Sequence, residues 1–403
     1  LEVKMAGYLE PVRLSPSQIE SLERKASLGL ACRFFDVNVN IRSDSRTVVD
    51  FFEQMYRHFI VASLPDNGTR HSYFVLSSDA SAHGPVLIWD GNRTCSLLDG
   101  DGLFDSADII IFGSLLRKIT SHLLIHGAVL ASKTGAIVLS GMSGSGKTTL
   151  ALELTRRGLL FSSDEIGAIS RATHLIHPFP RALGTRESTL GLLKTIDFKE
   201  GRLHHTTSGK QKWLVDIEDV FPNRSAGICH GKCLLLLETM LSSNGRPEDR
   251  HHSVRIALKK EDHELVEQLS RIDGVEHVSS DREDAFPSAY FRVRKERSVQ
   301  SAFLKLCGRH DKVILYKVKV VGRAPDPHQD PKVFPISKID AALGLLGNLQ
   351  NMAINDGWLS RKYGGNPSQV LYELADAISE MDCYRLLVGD LKKTADLIFD
   401  LVN

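Results

Sequence analysis

Apolar and polar positions alternate along "CRFFDVNVNI" (32–41), the period of a strand with one buried face. The spacing changes in "DSRTVVDFFEQMYRHFIV" (44–61). Apolar residues there recur every three or four positions behind a Ser/Asp start, which predicts an amphipathic helix. Three short apolar runs follow, "SYFVLSS", "GPVLIWDG" and "TCSLLDG", separated by Gly, Asn and Asp. They predict a meander of strands. Residues 1–105 thus read as a small α+β domain.

A helical pattern returns in "ADIIIFGSLLRKITSHLLI" (107–125). "HGAVLAS" (126–132) and "GAIVLSG" (135–141), with the turn "SKTG" between them, predict a hairpin. "KTTLALELTRRG" predicts a helix closed by Gly158, and "LLFSS" (159–163) the next strand. Strand, loop, helix and strand in this order open an α/β sheet. In a parallel sheet, the last strand would end beside the loop. Residues 243–300 are dense in both charges around a helical centre at 260–271, which predicts an insertion with a solvated face. Its run "RVRKER" (292–297) offers a basic edge to an acidic partner. "DKVILYKVKVV" (311–321) predicts a strand and "GRAPDPHQDPKVFP" a Pro-rich connector. From residue 336 to 402 the pattern is mainly helical, broken by one strand at "CYRLLVGD". The second domain is therefore expected over 106–403.

A chain of 403 residues is too long for one ordinary core. Fifty basic residues against 49 acidic ones leave a net charge of +1. That balance gives no global attraction to nucleic acid or to membranes. No apolar run approaches the roughly 20 residues that span a bilayer, and the opening "LEVKMAGYLEPVRL" lacks the apolar core of a secretory leader. Six cysteines are scattered along the chain, so a reducing cytoplasm is expected. Only Cys229 and Cys233, in "CHGKC", are close in sequence. Without a second pair they read as thiols of a buried strand, not as a zinc site.

Gly141, Gly146, Lys147 and Thr148 fit G-x-x-x-x-G-K-[ST]. Glycines let the backbone curl so that successive N–H groups face phosphate oxygens, and the helix start adds its positive end. Lys147 then reaches the β and γ phosphates, and Thr148 offers a hydroxyl to Mg²⁺. The candidate ATP-binding residues are Gly141, Ser143, Gly144, Ser145, Gly146, Lys147, Thr148 and Thr149. "GMSGSG" also contains G-x-x-G-x-G, but the Lys-Thr that follows points to a nucleoside triphosphate. Asp164 and Glu165 arrive only 17 and 18 positions after Lys147. Acids so early suit a kinase, where one carboxylate meets the acceptor hydroxyl and another the metal.

The segment 126–166 resembles the HPr kinase/phosphorylase family and the HPr-kinase-like P-loop kinases allied to PEP carboxykinase. The resemblance rests on "HGAVL", "GMSGSGKTTLALEL", "RRG" (156–158) and the acid pair, which is Asp-Glu here and Asp-Asp in most of the family. The ending "CYRLLVGDLKKTADLIFDLV" also looks like HPr-kinase-related tails. The resemblance implies an α/β fold: a P-loop kinase core with a mixed sheet, ATP and Mg²⁺. It implies Asp164 as base toward the acceptor, Glu165 helping Thr148 hold the metal, and His126 near the γ-phosphate. "FPRALG" aligns with a Glu-x-Arg-Gly-Leu-Gly motif, which makes Arg181 a candidate phosphoryl clamp, although Phe179 replaces its Glu. That departure favours a relative of HPr kinase over HPr kinase itself. The expected activity is ATP-dependent transfer to a hydroxyl, on a Ser of a protein or peptide or on a small-molecule alcohol. A shikimate-kinase-like enzyme and a nucleotide-binding regulatory ATPase are the alternatives, and a homo-oligomer is compatible with each.

Overall fold

The computed structural model describes residues 9–10, 15–65, 70–76, 86–89, 93–96, 103–141, 144–185, 187–193, 202–205, 211–239, 251–258, 262–281, 288–294, 296–309, 313–319, 325–346, 348–350 and 367–402. A mixed α/β fold emerges, built around an eight-stranded mixed sheet.

The chain starts with β1 (Leu9–Glu10) and α1 (Pro16–Lys25), whose N-cap Ser15 and Gln18 form a reciprocal capping box. β2 (Leu28–Phe34) and β3 (Val37–Ser43) pair as an antiparallel hairpin, so the strand expected over 32–41 is broken in two. Phe35 adopts a left-handed φ of 54°. Asp36 accepts hydrogen bonds from Thr120 and Ser121 at 2.6–3.1 Å. Asp36 is a common turn residue, and a distant loop anchors the reversal. α2 (Arg46–Met55) buries Val48, Val49, Phe51, Phe52 and Met55 and links β3 to its parallel neighbour β4 (Arg70–Leu76). β5 (Val86–Trp89) and β6 (Arg93–Ser96) complete the meander, and β1 closes the sheet in the order β1-β6-β5-β4-β3-β2.

α3 (Leu103–Lys118) stops seven residues short of its expected end, because β7 (His122–Ser132) has already begun. Residues His122 to His126 pair with β10 (Ile166–Ser170), and this long-range ladder overrides the local helical spacing. β7 and β8 (Gly135–Gly141) form the expected hairpin. α4 (Lys147–Arg156) follows the loop, and Gly158 leaves it with φ 118°. β9 (Leu160–Ser163) is antiparallel to its neighbour β7, which corrects the parallel pairing expected for it. It still points the same way as β8, since both oppose β7.

β11 (Ile176–His177) edges β10. β12 (Leu183–Thr185), β13 (Arg202–His205) and β14 (Gln211–Val215) form a separate three-stranded sheet, with α5 (Glu187–Leu192) and α6 (Ile217–Val220) nearby in sequence. β15 (Gly231–Thr239) lies parallel to β8. The charged insertion is a unit of its own: β16 (His251–Leu258), α7 (His263–Ser270), β17 (Val275–Asp281), β18 (Ser288–Arg294), α8 (Arg297–Arg309) and β19 (Val313–Lys319). Its antiparallel order, β17-β18-β16-β19, is a split βαβ arrangement. Val254, Ile256, Leu265, Phe291, Val293 and Phe303 fill its core. The insertion therefore runs on to Lys319 and takes in a strand that the sequence pattern placed outside it.

β20 (Lys332–Pro335) forms inside the Pro-rich connector and pairs with β21 (Asp382–Val388). α9 (Lys338–Leu346) and the helices Pro367–Ala377 and Leu391–Val402 account for the described helical part of the C-terminal region. The main sheet runs β11-β10-β7-β8-β15-β21-β20, with β9 also on β7. One face packs on α4 and the last helix through Leu150, Leu154, Ala395 and Ile398. The other face packs on α9 and helix Pro367–Ala377 through Ala341, Leu345, Val370 and Leu374. A third cluster joins Phe34, Phe52 and Phe112 to Leu124, Ile166 and Phe179. The first 105 residues thus share a core with β7 and β10.

Candidate active site

β9 and β10 lie on the same edge of β7, with Asp164 and Glu165 as the two-residue break between them. The ladder runs from Ser163, opposite Val129, to Ile166, opposite His126. Gly127 N–H donates to Glu165 O at 3.0 Å inside this break. Ser163 Oγ accepts from the amides of Glu165 and Ile166 at 3.2 and 3.0 Å, which fixes the kink. Breaks of this kind re-aim side chains next to functional sites. On the opposite edge of β7, β8 ends at Gly141, one step beyond the Ser140–Gly127 pair. The Gly-rich loop and the acid pair therefore flank His126 and Gly127. Gly127 must lack a side chain, since a Cβ there would sit 2.7 Å from Leu139 O.

The loop itself is tightly built. Gly144 and Gly146 have φ near +88° and +89°, a left-handed region that glycine enters without strain. A Cβ on Gly141 would come within 2.9 Å of both Leu237 Cβ and Ser145 Oγ. Ser145 Oγ is buried with no hydrogen-bond partner among the described residues. Met142 and Ser143, the latter a predicted loop contact, lie outside the described residues. Lys147 Nζ donates to Gly141 O at 2.7 Å. Burial lowers the Lys147 ammonium to about 8, against the pull of Asp164 and Glu165. Thr149 Oγ1 lies 3.3 Å from Thr189 Oγ1. Two segments distant in sequence reach the loop. The Pro325 ring comes within 3.3 Å of a Cβ built on Gly146. Leu237, the β15 partner of Gly141, is followed two residues later by the end of its strand.

Thr148 Oγ1 donates to Asp164 Oδ2 at 3.2 Å. Burial pushes the Asp164 carboxyl up to about 7, and the charge of Glu165 adds to the effect. Glu165 points elsewhere. Its Oε2 accepts from Arg181 Nη1 at 2.6 Å. Burial alone would raise Glu165, but the guanidinium holds it below the usual carboxylate value. Thr148 therefore meets Asp164, whereas the resemblance paired it with Glu165. Arg181 is also ion-paired to Asp108 of α3 and lies 4.0 Å over the Phe112 ring. Only 8% of its side chain is exposed. Phe179, at the position of the missing motif Glu, is buried among Phe34, Phe59 and Phe112.

His126 N–H donates to Asn348 O at 2.7 Å, while its carbonyl accepts from Ser140 Oγ at 3.1 Å. Asn348 Nδ2 in turn donates to Ser140 Oγ. Burial, then Lys147, lowers the His126 imidazole to about 4, so the ring is neutral at pH 7. Its Nδ1 has no hydrogen-bond partner among the described residues. Asn348, Asp108, Tyr56 and Thr189 carry no sequence signal as site residues, because each comes from a distant segment and only the fold brings it here.

The donor set suits a hard cation and phosphate. A hydroxyl and a carboxylate oxygen meet at Thr148 and Asp164, oxygen ligands of the kind Mg²⁺ takes, beside a curled glycine loop at a helix start. Among the described residues no group of three or more His, Cys, Asp or Glu converges as a metal cluster, and Cys229 and Cys233 are free thiols. Among the described residues no helix is long and apolar enough to cross a membrane. No family model matches the sequence, and no curated protein is significantly similar to it.

Proposed function

We propose that the chain is an ATP-dependent, Mg²⁺-requiring phosphotransferase that acts on a hydroxyl acceptor, within a P-loop kinase core of the HPr-kinase-like type. The observation that carries this reading is the Thr148–Asp164 contact, made where the glycine loop meets the acid pair across His126. Lys147 holds the β and γ phosphates, and the loop amides between Gly141 and Thr149 cradle them. Mg²⁺, when bound, neutralises developing phosphate charge. Thr148 and Asp164 hold it, which exchanges the roles that the family resemblance gives to the two acids. Glu165, held charged by Arg181, faces the acceptor hydroxyl and takes up its proton. His126 stays neutral and offers Nδ1 to the transferred group.

Purified protein, ATP and Mg²⁺ test the reading by calorimetry and by a phosphoryl-acceptor screen against peptides and small alcohols. Wild type should bind ATP·Mg²⁺, and Lys147→Ala should lose most of that affinity and all transfer. Asp164→Asn should lose Mg²⁺-dependent affinity, while Glu165→Gln should bind normally and transfer about 10²–10⁴-fold more slowly. A Lys147→Ala variant with wild-type turnover refutes the proposal.

A further inference from the structure

Arg181 is the one described guanidinium in contact with the acid pair, and it is shared. Nη1 donates to Glu165 at 2.6 Å, while Nη2 donates to Asp108. Asp108 is in turn gripped from behind. Tyr56 OH, at the end of α2, donates to its second oxygen at 2.9 Å. Phe112, one turn along α3, supplies the ring face under the guanidinium. The backbone adds a further tie, since Ala182 N–H donates to Met55 O at 3.2 Å. Along this row exposure rises from Asp108 at 9% and Arg181 at 8% to Glu165 at 29%. Glu165 is the most exposed of the three. Asp108 is buried, and its two oxygens are taken by Tyr56 and Arg181.

Such an arrangement is costly. A buried ion pair is often no more stabilising than apolar side chains of the same volume, and this one lies beside the apolar Phe112 and Phe179. Arg181 Nε has no hydrogen-bond partner among the described residues. What the pair does fix is the direction of Arg181. A guanidinium released from Asp108 would turn its full charge on Glu165 and on any phosphate at the loop.

We propose that Asp108 is a positioning residue for this site: through Arg181 it holds Glu165 in place and keeps one negative charge behind the acid pair. The nucleotide then binds well only with its metal. The inference rests on the phosphotransferase reading above. Asp108, Asp164 and Glu165 face Lys147 and Arg181, with Lys212 also acting on Glu165. Asp108→Asn removes one negative charge from this group without changing its shape.

The test is ATP affinity by calorimetry on the full chain, with and without Mg²⁺, for wild type, Asp108→Asn, Asp108→Glu and Tyr56→Phe. Asp108→Asn should bind metal-free ATP about fivefold or more tightly than wild type, and its gain on adding Mg²⁺ should shrink by a similar factor. Asp108→Glu, which retains the charge, should restore the wild-type ratio. Tyr56→Phe, which keeps the charge but loses the donor that offsets part of it, should move the ratio in the opposite direction to Asp108→Asn by a smaller factor. A merely structural Asp108 would weaken both affinities together and leave their ratio alone, and that result overturns the inference. The same holds if Asp108→Asn fails to fold and Tyr56→Phe, still folded, leaves the ratio at its wild-type value. A wild type that binds no ATP with or without Mg²⁺ overturns the phosphotransferase reading itself, and the inference with it.

Discussion

Asp164→Asn separates what the acid pair costs the fold from what it does for the site. Burial and Glu165 push the Asp164 carboxyl up to about 7 from an ordinary 3.8. A carboxyl raised in the folded state ionises first in the unfolded chain, so rising pH favours unfolding. Below 3.8 both states are protonated and the penalty vanishes. Between there and about 7 it grows by about 1.4 kcal/mol per pH unit, and above that it is complete. The full figure is about 4.4 kcal/mol; discounting for partial solvent contact and for coupling to Glu165 leaves about 2–3 kcal/mol. Asparagine keeps an oxygen for Thr148 but cannot ionise. The variant should therefore be about 2–3 kcal/mol more stable than wild type at pH 8, with the gap closing toward pH 5. Urea unfolding without nucleotide, followed by tryptophan fluorescence at pH 5, 6, 7 and 8, measures it. A gap that is constant with pH, or that widens as pH falls, refutes the reasoning. Saturating ATP·Mg²⁺ should reverse the order, because only wild type gains the full binding energy.

Four further outcomes are expected. Removing residues 1–100 should uncover Ile166, Ala168 and Phe179 and abolish nucleotide binding; a monomeric 101–403 fragment with wild-type ATP affinity would contradict the shared core. Phe179→Ala should cost about 3–5 kcal/mol, read as a fall in thermal midpoint, and an unchanged midpoint would remove Phe179 from the junction. Gly127→Ala should destabilise by about 1–3 kcal/mol, since its Cβ meets a backbone oxygen, and differential scanning calorimetry checks it. Residues 250–320 should fold alone with a cooperative melt; a featureless melt would show that the βαββαβ unit needs the main sheet.

The local structure around the loop was legible because it is written in one short run. The glycines, Lys147, Thr148 and the hairpin before them need only neighbours in sequence, and hairpin and helix lie where the pattern puts them. The direction of β9 was not legible. Periodicity marks a strand but not its partner, and β9 pairs antiparallel to β7. The end of α3 was misread for a related reason, since "HLLI" is apolar enough for either state and the β10 ladder decides it. The inserted module hid its fold behind its charges. Its outward positions carry Arg292 and Glu276, so the alternating inward Val254, Ile256, Phe291 and Val293 stood out only once the strands were aligned. The partners of Arg181 were the least accessible, because Asp108 and Tyr56 lie 73 residues or more upstream of it.

β15 ends two residues after the partner of Gly141, and Pro325 returns the chain against Gly146. The described residues between those points are spliced into the main sheet beside the glycine loop. Evolution can then rewrite the spliced module while the strands that hold the loop stay untouched. The same two joints are graft points for the protein engineer. A ligand-sensing domain inserted between them would be fastened at both ends beside Gly141 and Gly146, where its opening and closing would pull directly on the glycine loop.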